Sequence, residues 1–130
     1  MRVWIARLLV LAVFAVNVYC ALTFILFPAQ SVGAYELAGV SGTAAIQGIG
    51  VAFLMWNVTY PLVIINPAKY RTIFILVIIQ QIVGLIGESY ILYLVPEGHQ
   101  VLVESITRFI IFDAAGLLLL VLAFLLARRK

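Results

Sequence analysis

Charge is what this sequence has least of. Only 10% of its 130 residues are Asp, Glu, Lys or Arg, and 66% are hydrophobic, whereas soluble domains average about 25% charged and about 45–50% apolar. An ordinary water-soluble domain is excluded. A single cysteine, Cys20, rules out an intrachain disulfide and a two-cysteine redox couple, and it reads as a small apolar helix residue. The lone histidine, His99, has no second histidine to share a metal with and reads as an ordinary turn residue. No P-loop, dinucleotide fingerprint, nucleophile–base pair or metal-ligand spacing occurs. That argues against a hydrolase or redox enzyme, implies no cofactor, and leaves only a membrane acid–base enzyme compatible with catalysis. The net charge of +3 is spread over segment ends, so it signals topology and not nucleic-acid binding.

Four long apolar segments fill the chain, at about 3–27, 42–66, 73–95 and 101–127. Each reaches the roughly 20 residues that a helix needs to cross about 30 Å of hydrocarbon. No water is available there, so backbone groups must close their hydrogen bonds within helices. The expected fold is all-α: a single domain, 1–130, forming an integral membrane four-helix bundle. Segment one starts with Arg2 and Arg7, as a signal peptide would. Its run is longer than a signal's apolar stretch and no Ala-x-Ala site follows, so a retained span is expected. Pro28 closes segment one and Pro67 closes segment two, while Pro61 is expected to bend the last turns of segment two. The 28–41 connection is expected either to hold a short surface helix or to cap the bundle. Asn57-Val58-Thr59 matches a glycosylation acceptor but lies inside a span and is discounted.

The scarce charges are sorted by end. Arg2, Arg7, Lys69, Arg71, Arg128, Arg129 and Lys130 fall at one end of antiparallel segments; Glu36, Glu97, His99 and Glu104 fall at the other. Because Lys and Arg concentrate in cytoplasmic loops, a multi-pass cell-membrane protein with both termini cytoplasmic is expected. Trp4, Trp56, Tyr60 and Tyr70 then fall toward the inner interface, and Tyr35, Tyr90 and Tyr93 toward the outer one, as in aromatic belts.

Glu88, Arg108 and Asp113 lie inside spans. Arg108 and Asp113 each cost about 2.5–3.5 kcal/mol at a helix centre, and roughly thirteen apolar residues between 109 and 126 return about 0.3–0.6 kcal/mol each, so segment four still inserts. Glu88 and Arg108 each lie ten residues from Gly98, which places them at one depth, roughly 10 Å below the turn. An ion pair between them is expected, with Glu104 as the competing i,i+4 partner of Arg108. At 100° per residue, Arg108, Phe112, Gly116 and Asp113 span about 140°, one broad face. Segment two carries a small and polar stripe of Thr43, Gln47, Gly50, Leu54, Asn57 and Pro61; Gln80, Gln81, Gly84, Gly87 and Glu88 share a side of segment three. Gly50 and Gly84 are expected at helix contacts. The candidate ligand-binding set or polar network is therefore Asn17, Tyr19, Gln47, Glu88, Arg108 and Asp113. Asn57, Gln80, Gln81 and Glu104 support it.

Four spans, a first segment ending in Phe27-Pro28 and a glycine-bearing second segment, Gly48-Ile49-Gly50-Val51-Ala52-Phe53-Leu54, resemble the DoxX-like small bacterial membrane proteins. The resemblance implies the four-helix fold and a bacterial inner membrane. It assigns no site residues, and the Glu88, Arg108 and Asp113 set has no counterpart in its motifs.

Two functions compete. In the first, the polar set lines an outward-facing intramembrane cavity for a small ligand or protons, in a carrier or sensor, since an ionisable residue within a span marks a functional site by default. In the second, it only fixes packing in a non-catalytic accessory or assembly subunit of a larger membrane complex. A homo-oligomeric channel or exporter is disfavoured by the scarcity of polar residues to line a pore. The implied partners are the lipid bilayer, a small-molecule ligand in the first case, and a homo-oligomer or larger complex in the second. No catalytic residue, metal or nucleic acid enters either.

Overall fold

A computed structural model describes residues 1–127. Its regular structure is helical throughout, with no strand among the described residues: α1 (Arg2–Leu26), α2 (Ala29–Val32), a 3₁₀ turn (Gly33–Tyr35), α3 (Gly39–Asn57), α4 (Tyr60–Ile65), α5 (Arg71–Leu94) and α6 (Gln100–Leu126). Four stretches are long and apolar enough to cross a membrane: Arg2–Leu26, Gly39–Ile65, Arg71–Leu94 and Gln100–Leu126. They agree with the four expected segments to within three residues at each end. Large apolar side chains cover the outside, Met55, Leu118 and Ile86 among them, as suits a surface that meets lipid and not water.

α1 is the central helix. It packs against α3, α4 and α6, while α5 packs against α6 and α4. Gly50 lets α3 approach α1 closely: a Cβ there would stand 2.8 Å from the Ala21 carbonyl oxygen and 2.8 Å from the Ile25 side chain. Toward the N-terminal end of α1 the interior is dry and dense, with Ala6, Val10, Val13, Tyr60, Val63, Phe74, Val77, Leu120 and Ala123 forming one core. The cations ring that end. Arg7 Nε donates to the Ile64 carbonyl at 2.7 Å, and its guanidinium lies over the Trp4 ring. Arg71 lies over Phe124 and Lys69 over Tyr70. Arg128, Arg129 and Lys130, expected at this same end, lie outside the described residues.

Segment two is interrupted, not merely bent. α3 stops at Asn57 and α4 begins at Tyr60. Pro61 has no N–H to offer the Asn57 carbonyl and its ring crowds that carbonyl, so the helix restarts. The buried line differs in phase from the expected stripe along both helices, through Gly42, Ile46, Gly50 and Asn57 and then Tyr60 and Val63, while Pro61 is exposed. Tyr60 therefore sits in the core and not in an interfacial belt, which corrects its expected place. Asn57 is also buried, so the apparent glycosylation acceptor is out of reach.

At the opposite end the 28–38 connection does both things expected of it. It forms the short helix α2 and a 3₁₀ turn, and it folds over the start of α6. Ser105 Oγ donates to the Ala34 carbonyl. Glu36, in a left-handed conformation with φ of 54°, accepts from His99 Nδ1 and from the Leu102 backbone N–H at 3.4 Å. A carboxylate thus satisfies a free donor in the first turn of α6, where the helix dipole also favours negative charge. Gly98, with φ of 95°, makes the tight turn that leads from α5 into α6.

Candidate functional site

Two amide pairs cross the middle of the molecule. On one side, Asn17 Nδ2 of α1 donates to Asn57 Oδ1 of α3 at 3.1 Å, and Asn57 Nδ2 donates back to the Phe53 carbonyl at 2.7 Å. The Tyr60 hydroxyl is buried beside Asn17. On the other side, Gln81 Nε2 of α5 donates to both the carboxylate and the backbone carbonyl of Asp113 on α6, each at 3.1 Å. Gly84, one turn along α5, makes room for the second Asp113 oxygen: a Cβ there would lie 3.1 Å from Oδ2 and 3.2 Å from the Trp56 ring. Asn17, Gln81, Glu88 and Asp113 then share a small pocket of about 70 Å³ with Phe53, Trp56 and Gly84.

Glu88 stands at the junction of that pocket with a larger chamber. The chamber, of about 290 Å³, is lined by Phe24, Tyr35, Phe53 and Phe109, together with Ile49, Ile91, Leu102 and Ile106. Among the described residues Glu88 is the only one of charged type on its wall. Its Oε2 is buried and has no hydrogen-bond partner among the described residues. The space exists because α3 packs on α1 without an extensive contact to α5 or α6 among the described residues. Aromatic rings from α1, α3, α6 and the capping turn fill the gap, with Phe109 at 6.0 Å from Phe24, 6.0 Å from Phe53 and 6.2 Å from Tyr35.

Arg108 lies on the far side of those rings. It lines a separate chamber of about 340 Å³ with Cys20, Gln30, Ser31, Ser105 and Phe112, and the two chambers share Phe24, Tyr35 and Phe109 as a partition. The expected Glu88–Arg108 ion pair is therefore corrected. Arg108 donates to Ser105 Oγ at 3.3 Å, and the one ion pair among the described residues joins His99 to Glu36. Equal depth was necessary for the pair but not sufficient, because the two side chains leave their helices on opposite sides of an aromatic wall. The 140° face of α6 was too wide to be one face: Asp113 at one edge is buried against α5, whereas Arg108 at the other edge is exposed.

Of the remaining candidates, Tyr19 is 74% exposed on the outer face of α1 and takes no part. Gln47 is spent locally, its Nε2 donating to the Ile25 carbonyl near the end of α1 at 3.1 Å. Glu104 is exposed beside Gln100 and does not reach Arg108. Gln80 turns away from the pocket that Gln81 lines, as adjacent positions 100° apart require. Gly87 has open space before it. The structure thus gathers Asn17, Asn57, Gln81, Glu88 and Asp113, and leaves out Tyr19, Gln47, Gln80, Glu104 and Arg108.

The aromatic partition was not anticipated. Phe24, Phe53 and Phe109 carry no signal in a sequence where apolar residues face lipid as readily as the interior. Tyr35, alone in a loop, was the one available hint. Burial raises its hydroxyl above the ordinary tyrosine value, with Cys20 and Glu88 adding to the effect and Arg108 opposing it. Among the described residues no three His, Cys, Asp or Glu side chains gather to hold a metal. Chemically the site offers two carboxyl groups and two side-chain amides beside an apolar, aromatic-lined space. No family model, curated protein or solved structure matches the chain.

Proposed function

We propose that the protein binds a small ligand in a cavity between its membrane spans, as a carrier or sensor. The observation that carries this reading is Glu88, a carboxylate whose buried oxygen has no hydrogen-bond partner among the described residues and which borders two cavities. A polar group buried without a partner costs about 1–3 kcal/mol, more when charged. The position of Glu88 bordering both cavities places that oxygen where a bound ligand could meet it. The likeness to DoxX-like proteins belongs to the same proposal and supplies a bacterial inner membrane. The same proposal puts both termini in the cytoplasm, supported by Arg2, Arg7, Lys69 and Arg71 at the N-terminal end of α1 against Glu36, Glu97 and Glu104 at the other.

A second reading, an accessory subunit of a larger membrane complex, draws on the Asn17–Asn57 and Gln81–Asp113 bonds. Both are satisfied and both join different helices, as register-setting contacts would. Stability separates the two readings. In detergent, Gln81→Leu and Asn17→Leu should lower the thermal midpoint by the equivalent of about 1–3 kcal/mol, since each leaves a buried acceptor or amide unpaired. Glu88→Gln should leave the midpoint unchanged or raise it. A loss from Glu88→Gln as large as that from Gln81→Leu would place Glu88 in the structural network and remove the ligand reading.

A further inference from the structure

We propose that the 290 Å³ chamber takes a lipophilic organic cation, held by the rings of Phe24, Tyr35, Phe53 and Phe109 around its apolar body and by Glu88 as counter-charge. This rests on the ligand-binding reading and names the chemical class of the ligand.

Three observations point to that class. The first is shape and lining: apart from Glu88 and the Tyr35 hydroxyl, every wall residue of the chamber is an apolar side chain, and four of them are aromatic. Aromatic faces carry negative electrostatic potential, and a cation over them is stabilised most when water is excluded. The second is the sign of the charge. Among the described residues Glu88 is the one carboxyl group on the wall, and its Oε2 accepts from none of them. The nearest candidate cation in sequence depth, Arg108, belongs to the neighbouring chamber and is bound to Ser105, so Glu88 is left to face the chamber. The third is access. Ile49 and Ile91, on the α3 and α5 walls, are about half exposed at 41% and 54%, and the chamber lies where those two helices make no extensive contact. A solute that partitions into lipid can reach it sideways between α3 and α5, whereas a hydrophilic ion would have to cross the apolar rim.

A neutral apolar guest would use the rings and leave the carboxylate unmet. An anion would meet Glu88 as a like charge. A small inorganic cation would meet one carboxylate and the Tyr35 hydroxyl among the described wall residues, fewer than the several oxygen ligands that hard cations require. An organic cation satisfies both features of the lining at once.

The test separates charge from shape. Benzyltrimethylammonium and its neutral isostere neopentylbenzene are titrated into the full chain in detergent and their binding is followed by calorimetry. Wild type should bind the cation at least about tenfold more tightly than the isostere. Glu88→Gln should lose that preference while keeping its affinity for the isostere, and Arg108→Gln should bind the cation at least as tightly as wild type does. Equal binding of the two probes by wild type overturns the proposal, as does undiminished preference in Glu88→Gln. Should Glu88→Gln not fold, the wild-type comparison of the two probes decides alone. No cation preference in wild type, together with ready reaction of Glu88→Cys with a neutral water-soluble methanethiosulfonate, removes the cation and leaves the cavity reading standing; an unreactive Glu88→Cys removes both.

Discussion

Glycines show at the residue scale how far a stripe can be trusted. Gly50 faces a backbone oxygen at 2.8 Å, and a backbone atom cannot turn aside as a side chain can. Gly50→Leu should therefore cost about 1–3 kcal/mol from overpacking, read as a fall in thermal midpoint in detergent. Gly84→Leu meets Trp56 and Asp113 side chains, and should also lower stability by displacing them from the central pocket. Gly87 has nothing within 4 Å, so Gly87→Ala should be neutral or stabilise by up to about 1 kcal/mol through helix propensity. Unchanged midpoints for both leucine variants, or a large loss from Gly87→Ala, would contradict these assignments. Gly50 and Gly84 were legible from their spacing. Gly87 shares Gly84's stripe but not its contact, because a 3.6-residue period drifts off the contact line within one turn.

Among the elements, the cap is the one whose form could not be read in advance. Its bonds are long-range: Glu36 reaches His99 across 63 positions and Ser105 reaches Ala34 across 71. No local pattern between 28 and 41 encodes partners that distant. Pro61, by contrast, was legible as a disturbance because its cause is local, although the burial of Tyr60 depends on how α4 docks. The cap predicts a pH dependence. Glu36 titrates below its ordinary value, first because of the hydrogen bond from His99 and then because of the Leu102 N–H, with desolvation opposing. A lowered carboxylate value means that the folded state binds the proton less readily than the unfolded chain does. The stabilisation is therefore full above the ordinary value of 4.5 and disappears as pH falls through the lowered one. Wild type should melt above Glu36→Gln at neutral pH by a constant margin, and the margin should shrink only in the acid range. A margin that persists undiminished to about pH 2 would rule out this linkage.

For the whole molecule, length and apolarity fixed the four helices, since each span must satisfy its own backbone. Depth, too, could be counted from the Gly98 turn. Lateral position could not, because it depends on how each helix is rotated and on which rings stand between. That is why Glu88 and Asp113 come to one pocket while Arg108, at Glu88's depth, does not. The proposed orientation is tested by an alkaline phosphatase fused after Arg129, which should be inactive if that end is cytoplasmic; high activity would reverse the topology.

The central claim is that Glu88 faces a space that a ligand can occupy and not a sealed network. The most direct measurement is the reaction of a small, neutral, water-soluble methanethiosulfonate with Glu88→Cys, made in a Cys20→Ser background so that no other thiol reports. Val77→Cys, in the fully buried apolar core, gives the closed reference. The account predicts that residue 88 is labelled readily in the folded protein while residue 77 is not. Residue 88 as unreactive as residue 77, in a variant that melts like wild type, would contradict it.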